Sequence, residues 1–220
     1  MIKAVLFDMD GTLIDSETLG RKAWHIAGEQ LGVPVSDELI TSFVGINRAS
    51  VLGILEGRMG SREAADRLFN AHVAVRDEMA KTELALKPGA RECLAELRAR
   101  GVYLGLGTSS RRVTATMNLK LPQIDLYGAF DGFTFGDEVT HGKPAPDIYL
   151  NGAAQAGVSP DECAVVEDSP NGVRSGHAAG MHVYLVPDTV EPTPEIVGMC
   201  DGVLPSLLDL VPALAGQLEG

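Results

Sequence analysis

The chain has 220 residues, 45% of them hydrophobic and 22% charged, with 18 Lys and Arg against 30 Asp and Glu for a formal net charge of −12. That length can bury a full core and suits one α/β domain carrying an inserted subdomain. So acidic a chain excludes nucleic acid and anionic membranes as natural partners. An anionic substrate would need local positive charge, from a metal ion and a few placed Lys or Arg residues, to offset the global repulsion.

Ala4–Phe7 reads as a buried strand that ends abruptly in Asp8 and Asp10, followed by Gly11. A strand end has no structural use for two carboxylates, because desolvating an unpaired charge is costly. Reaction chemistry has one: a carboxylate can be a nucleophile or an acid/base, and two together can hold a divalent cation.

Between roughly Ser16 and Leu86 no strand signal occurs. Arg21–Leu31, Asp37–Phe43, Ala49–Gly57 and Arg62–Lys81 read as helices, separated by Gly32, Gly45 and Gly60. Trp24 is expected in the core of this block, and His72 as a surface or packing residue. From Pro88 onward short apolar runs alternate with helical patterns. Strands are expected at Val102–Gly107, Phe133–Phe135, Cys163–Val166 and His182–Val186, and helices at Pro146–Ala156 and Gly172–Ala179. Gly172 and Gly176, four apart, are read as allowing close helix packing. Alternation of this kind predicts a doubly wound parallel sheet, Rossmann-like, with an all-helical cap inserted after the first strand. The expected boundaries are 1–15 and 87–220 for the core and 16–86 for the cap.

Ligands of open parallel sheets bind beyond the carboxyl ends of the strands. Four such places carry unusual polar residues: Asp8 and Asp10, then Thr108-Ser109-Ser110, then Lys143 in a Gly-Lys-Pro loop, then Glu167-Asp168. Two unit charges 4 Å apart repel by about 4 kcal/mol even at an effective dielectric of 20. Four carboxylates in one crevice therefore imply a cation among them, and Mg²⁺ suits an all-oxygen donor set. Lys143 is the expected fixed counter-charge.

These segments resemble the four motifs of the haloacid dehalogenase (HAD) superfamily, in the branch whose cap follows the first strand, which includes β-phosphoglucomutases and small-molecule phosphatases. Val5–Asp15 corresponds to the first motif, Thr108 to the second, Lys143 in Gly142–Asp147 to the third, and Glu167-Asp168-Ser169 with Asn171–Val173 to the fourth. The resemblance implies that Asp8 attacks phosphorus to form an aspartyl-phosphate. Asp10 would protonate the leaving alcohol and then activate water. It further implies Mg²⁺ held by Asp8, the Asp10 carbonyl and Asp168, with Glu167 ligating directly or through water. Thr108 and the Ser109 N–H would bind phosphoryl oxygens, and Lys143 would neutralise developing charge. An Asp at position 10 argues against dehalogenase chemistry, which has no need of that acid.

The resemblance places substrate contacts at Asn47 and Arg48. Mutase relatives carry a His where this chain has Gly20, which favours a phosphatase. The expected activity is hydrolysis of a small phosphorylated metabolite, a sugar phosphate or nucleotide-like phosphate. A hexose phosphomutase of the β-phosphoglucomutase type is the alternative, and a non-catalytic binding or regulatory protein on the same scaffold is the alternative of another class. Arg111, Arg112 and His141 are further candidates for the site. No apolar run reaches the ~18 residues of a membrane helix, the N-terminal run is too short for a signal peptide, and three scattered cysteines suit a reducing compartment. A cytoplasmic monomer or weak dimer is expected.

Overall fold

The computed structural model describes residues 1–43 and 48–218. The chain divides into two compact units, one comprising Met1–Asp15 and Ala85–Gly220 and the other Ser16–Leu84.

In the first unit the elements run β1 (Ala4–Phe7), then, after the inserted segment, α5 (Ala90–Ala99), β2 (Tyr103–Thr108), α6 (Arg112–Leu119), β3 (Gly132–Phe135), α7 (Asp147–Ala156), β4 (Cys163–Glu167), α8 (Pro170–Ala178), β5 (His182–Leu185), α9 (Pro194–Val197), β6 (Gly202–Val203) and α10 (Leu210–Leu214). The strands form one sheet in the order β3-β2-β1-β4-β5-β6, and every neighbouring pair is parallel. This is the doubly wound, Rossmann-like sheet expected from the alternation. β1 is central and buried at every position, which is why its sequence is continuously apolar instead of alternating. Helix α7 packs on β1, β2 and β3, and α8 on β4 and β5. β6 escaped the sequence reading because two residues carry no periodicity.

The strand order reverses beside β1, between β2 and β4. Phe7 lies level with Leu106 on one side and Val166 on the other. One residue further on, Asp8 therefore emerges next to Gly107 and Glu167, at the switch point where such sheets open a crevice. The strands β2 and β4 each extend one residue further at the carboxyl end than expected, so Thr108 and Glu167 are held by the ladder itself.

The chain leaves and re-enters this unit along two hydrogen-bonded segments. The Asp15 N–H donates to the Ala85 carbonyl and the Lys87 N–H to the Leu13 carbonyl, each at 2.9 Å.

The second unit contains only helices among its described residues: α1 (Ser16–Leu31), α2 (Asp37–Thr41), α3 (Arg48–Met59) and α4 (Arg62–Glu83). Ser36 and Ser61 cap α2 and α4, accepting from Leu39 N and Ala64 N at 3.3 Å, as serines at helix N-termini do. Trp24, Phe43, Leu52, Leu55 and Leu68 meet in its core.

His72 is buried in this unit, its ring stacked on Trp24 at 3.9 Å and 4°, and neither ring nitrogen has a hydrogen-bond partner among the described residues. Burial pushes the imidazole down to about 3; Arg76 adds to this, and the Gly20 carbonyl opposes it without reaching hydrogen-bond geometry. The unfolded chain binds this proton near pH 6.5 and the folded chain only near 3. Between those values the unfolded state holds more protons, so the contribution is complete above about pH 6.5 and is lost as pH falls. The shift corresponds to a few kcal/mol. Trp24 is the sole tryptophan, so its fluorescence during acid titration reports on this unit. His72→Phe is expected to move the acid transition to lower pH; coincident curves would refute the role of His72.

Candidate active site

Three adjacent strand ends are joined by one side chain. Lys143, with its side chain 5% exposed, donates from Nζ to Asp8 Oδ1 at 2.6 Å, to the Gly107 carbonyl at 2.8 Å and to Glu167 Oε1 at 2.6 Å. These partners follow β1, lie in β2 and end β4. An ammonium has three donors, and all three are directed into the sheet. Burial alone would lower the Lys143 pKa, but Asp8 and Glu167 outweigh it and hold the ammonium above the ordinary lysine range. Asp8 behaves oppositely. Burial raises its carboxyl well above the usual carboxylate range, Lys143 opposes that, and Glu167 and Asp10 reinforce it. One lysine does not offset the burial of Asp8 together with the acidic groups around it.

Glu167 is fully buried, and both its oxygens are engaged. Oε1 accepts from Lys143 and from the Tyr149 hydroxyl at 2.7 Å. Oε2 accepts from the N–H groups of Asp168 and Ser169 and from the Ser169 hydroxyl, at 3.0 to 3.3 Å. Gly172 makes this possible. A Cβ there would lie 1.7 to 2.0 Å from the Glu167 carboxyl atoms, so any side chain would displace the carboxylate. The expectation of a packing role for Gly172 is thus corrected, because it makes room for a site residue. Gly176 does face Val165 and Val183 of the core.

Tyr149 was missed by the sequence reading, because an apolar-helix pattern does not reveal which ring carries a hydroxyl toward a carboxylate. Its ring also lies under the lysine, with Nζ 4.8 Å from the centroid. Tyr149→Phe keeps that ring and removes one hydrogen bond to a buried acid. A loss of about 2 kcal/mol in unfolding free energy is expected, measured by denaturant titration; no change would show that the bond contributes nothing.

Asp10 is partly exposed, and its Oδ2 accepts from the Ser110 hydroxyl at 2.7 Å. Thr108 is fully buried, and its hydroxyl oxygen accepts the Ser110 N–H at 3.0 Å. That role leaves the Thr108 O–H to rotate toward another acceptor. Ser109 is exposed, and the contact with Asp10 comes from its neighbour Ser110.

The donor chemistry suits a divalent cation. Asp8, Glu167 and Asp168 each offer a carboxylate oxygen, and the three oxygens lie within 4.8 Å of one another. Thr12, fully buried, reaches Asp168 Oδ1 at 3.5 Å. Gly11 adopts φ +86°, and a Cβ on it would come within 2.2 Å of Asp168 Oδ2. Hard oxygen donors so close together, with Asp8 destabilised as an anion, fit Mg²⁺.

Other expected positions have contacts of their own. Arg48 opens α3, 3.5 Å from Asn70 Oδ1 and 4.9 Å from the Phe69 ring centroid; Asn47 lies outside the described residues. Arg112 pairs with Glu138 at 2.5 Å, and Arg111 lies 3.8 Å from Asp137. His141, largely exposed, pairs with Asp147 at 3.1 Å instead of joining the Lys143 cluster. Local acidic partners, invisible in a linear reading, hold these three.

A parallel sheet with a carboxylate pair, a threonine, a lysine and an acidic pair at successive strand ends defines a class of hydrolase. Residues 2–180 match the haloacid dehalogenase-like hydrolase family, and the chain belongs to it. It is similar to a phosphorylated carbohydrates phosphatase of Thermotoga maritima, 35% identical over 183 residues covering 82% of each chain. Hexitol phosphatase A of Escherichia coli is 34% identical over 186 residues, covering 84% of this chain and 82% of that one. A solved HAD family hydrolase from Deinococcus radiodurans, holding phosphate and sodium, superposes with TM-score 0.78 at 30% identity over 98% of this chain and 96% of that one. β-Phosphoglucomutase structures share the fold.

Proposed function

We propose that the chain is a Mg²⁺-dependent phosphatase of a small phosphomonoester, working through an aspartyl-phosphate. The observation that carries this reading is the pair formed by Asp8, fixed by Lys143 at 2.6 Å, and Asp10, two residues on and held by Ser110. The names of the similar proteins favour a phosphorylated carbohydrate as substrate.

An Asp8 carboxylate oxygen bonds to phosphorus as the ester P–O bond breaks. Asp10 gives its proton to the departing alcohol oxygen. A water molecule then attacks phosphorus of the aspartyl-phosphate, Asp10 takes a proton from it, and the Asp8–phosphorus bond breaks to release phosphate. The Thr108 hydroxyl donates to a phosphoryl oxygen, and Lys143 stabilises the charge spread over the transferring group and Asp8. Asp8, Asp168 and the Asp10 carbonyl would hold Mg²⁺, which supplies charge neutralisation for the phosphoryl oxygens and for ionised Asp8. Glu167, with its two oxygens already accepting five hydrogen bonds, serves chiefly to anchor Lys143. The helical unit, with Arg48, would contribute substrate selection.

The test is release of inorganic phosphate with Mg²⁺ over a panel of sugar phosphates, hexitol phosphates and nucleotides. Release that depends on Asp8 supports the reading. Isomerisation of β-glucose 1-phosphate without free phosphate would replace it with a mutase.

A further inference from the structure

Asp188 follows β5 and carries a buried acceptor that nothing in the mechanism uses. Its Oδ1 accepts from Lys87 Nζ at 2.6 Å, in an ion pair with side chains only 20% and 13% exposed. Its Oδ2 is shielded from solvent and has no hydrogen-bond partner among the described residues. Leaving such an acceptor unmet costs on the order of 1–3 kcal/mol, so the position of Oδ2 points to a donor that belongs there. Its direction is given by Gly11. A Cβ on Gly11 would lie 2.2 Å from Asp168 Oδ2 and 3.3 Å from Asp188 Oδ2. Both oxygens border one point, close enough for a single water to bridge them with two hydrogen bonds of about 2.8 Å. Asp188 is nevertheless outside the trio whose oxygens approach one another closely enough to share a cation.

We propose that Asp188 is a positioning residue for the divalent cation: its Oδ2 accepts a hydrogen bond from a water in the hydration shell of the ion, while Lys87 fixes Oδ1. Mg²⁺ keeps several of its waters when bound, and partners of that outer shell orient the site and commonly set metal affinity by 10- to 100-fold. Lys87 is itself anchored through its N–H to the Leu13 carbonyl at 2.9 Å, so the outer shell is tied to the segment by which the chain re-enters this unit. Gly11 is required here twice, for its positive φ and for the space its missing side chain leaves beside both carboxylates.

This inference rests on the metal-dependent reading, and Mg²⁺ titration of the full chain by isothermal calorimetry separates the two. Wild type is expected to bind one Mg²⁺, and Asp188→Asn to bind it at least 10-fold more weakly while the metal-free protein remains folded. Lys87→Met, which frees Asp188 without altering it, is expected to weaken binding in the same direction. Wild-type affinity in Asp188→Asn would overturn the role of Asp188 while leaving the metal centre standing. No Mg²⁺ binding by the wild type would overturn both.

Discussion

Asp8→Asn is expected to abolish phosphate release, by 10⁴-fold or more, while the protein stays folded. Deleting a nucleophile that forms a covalent intermediate has cost on the order of 10⁶-fold in kcat elsewhere. The fold should survive because Asn keeps an oxygen where Lys143 donates at 2.6 Å. It also removes a charge that burial disfavours, since the Asp8 carboxyl sits well above its usual range. The melting temperature of the metal-free variant is therefore expected to equal or exceed that of the wild type. Single-turnover assays with a phosphate ester, together with a thermal melt, read both effects. Turnover within tenfold of wild type would remove Asp8 as the nucleophile.

Lys143→Met is expected to damage stability and activity together. The ammonium is 5% exposed and bonds to two carboxylates. Breaking a buried pair by removing one partner costs about 3–5 kcal/mol, because the carboxylates left behind repel without a counter-charge. For a chain of this size each kcal/mol shifts the melting temperature by roughly 2–4 °C, so a fall on the order of 10 °C is expected. The sign with pH is definite. Without Lys143 the Asp8 pKa rises further above its unfolded value, so the penalty is largest at alkaline pH and shrinks as pH falls and Asp8 takes up a proton. In kcat, loss of a charge that stabilises the transferring group is expected to cost about 10²–10³-fold. A variant melting with the wild type across the pH range would show that the ion pairs contribute no net stability.

Much of this was legible from residue order. The apolar run Ala4–Phe7 ending in acids, the β-α alternation after Pro88 and the unbroken helical block before it follow from local periodicity, and periodicity is a property of neighbours along the chain. Asp8, Asp10, Thr108, Glu167 and Asp168 stood out for a related reason: each is a polar residue placed where a hydrophobic segment stops, while Lys143 stood out as a cation in a Gly-Lys-Pro loop. Tyr149 and Asp188 did not stand out, and Ser110 and Gly172 were marked without the contacts that give them their roles. Their significance lies in contacts spanning 18, 101, 100 and 5 positions respectively, and nothing in a local pattern distinguishes such a tyrosine or aspartate from its surface counterparts.

By itself the sequence determined the class of fold and marked the candidate reacting groups, because burial and strand termination are dictated by nearby residues. Only the tertiary structure decided how the charges are apportioned. Which carboxylate Lys143 binds, which is saturated by backbone N–H groups and which retains an unmet oxygen depend on sheet order and register. Electrostatic energy falls off with distance in space, and that distance is set by the strands lying side by side.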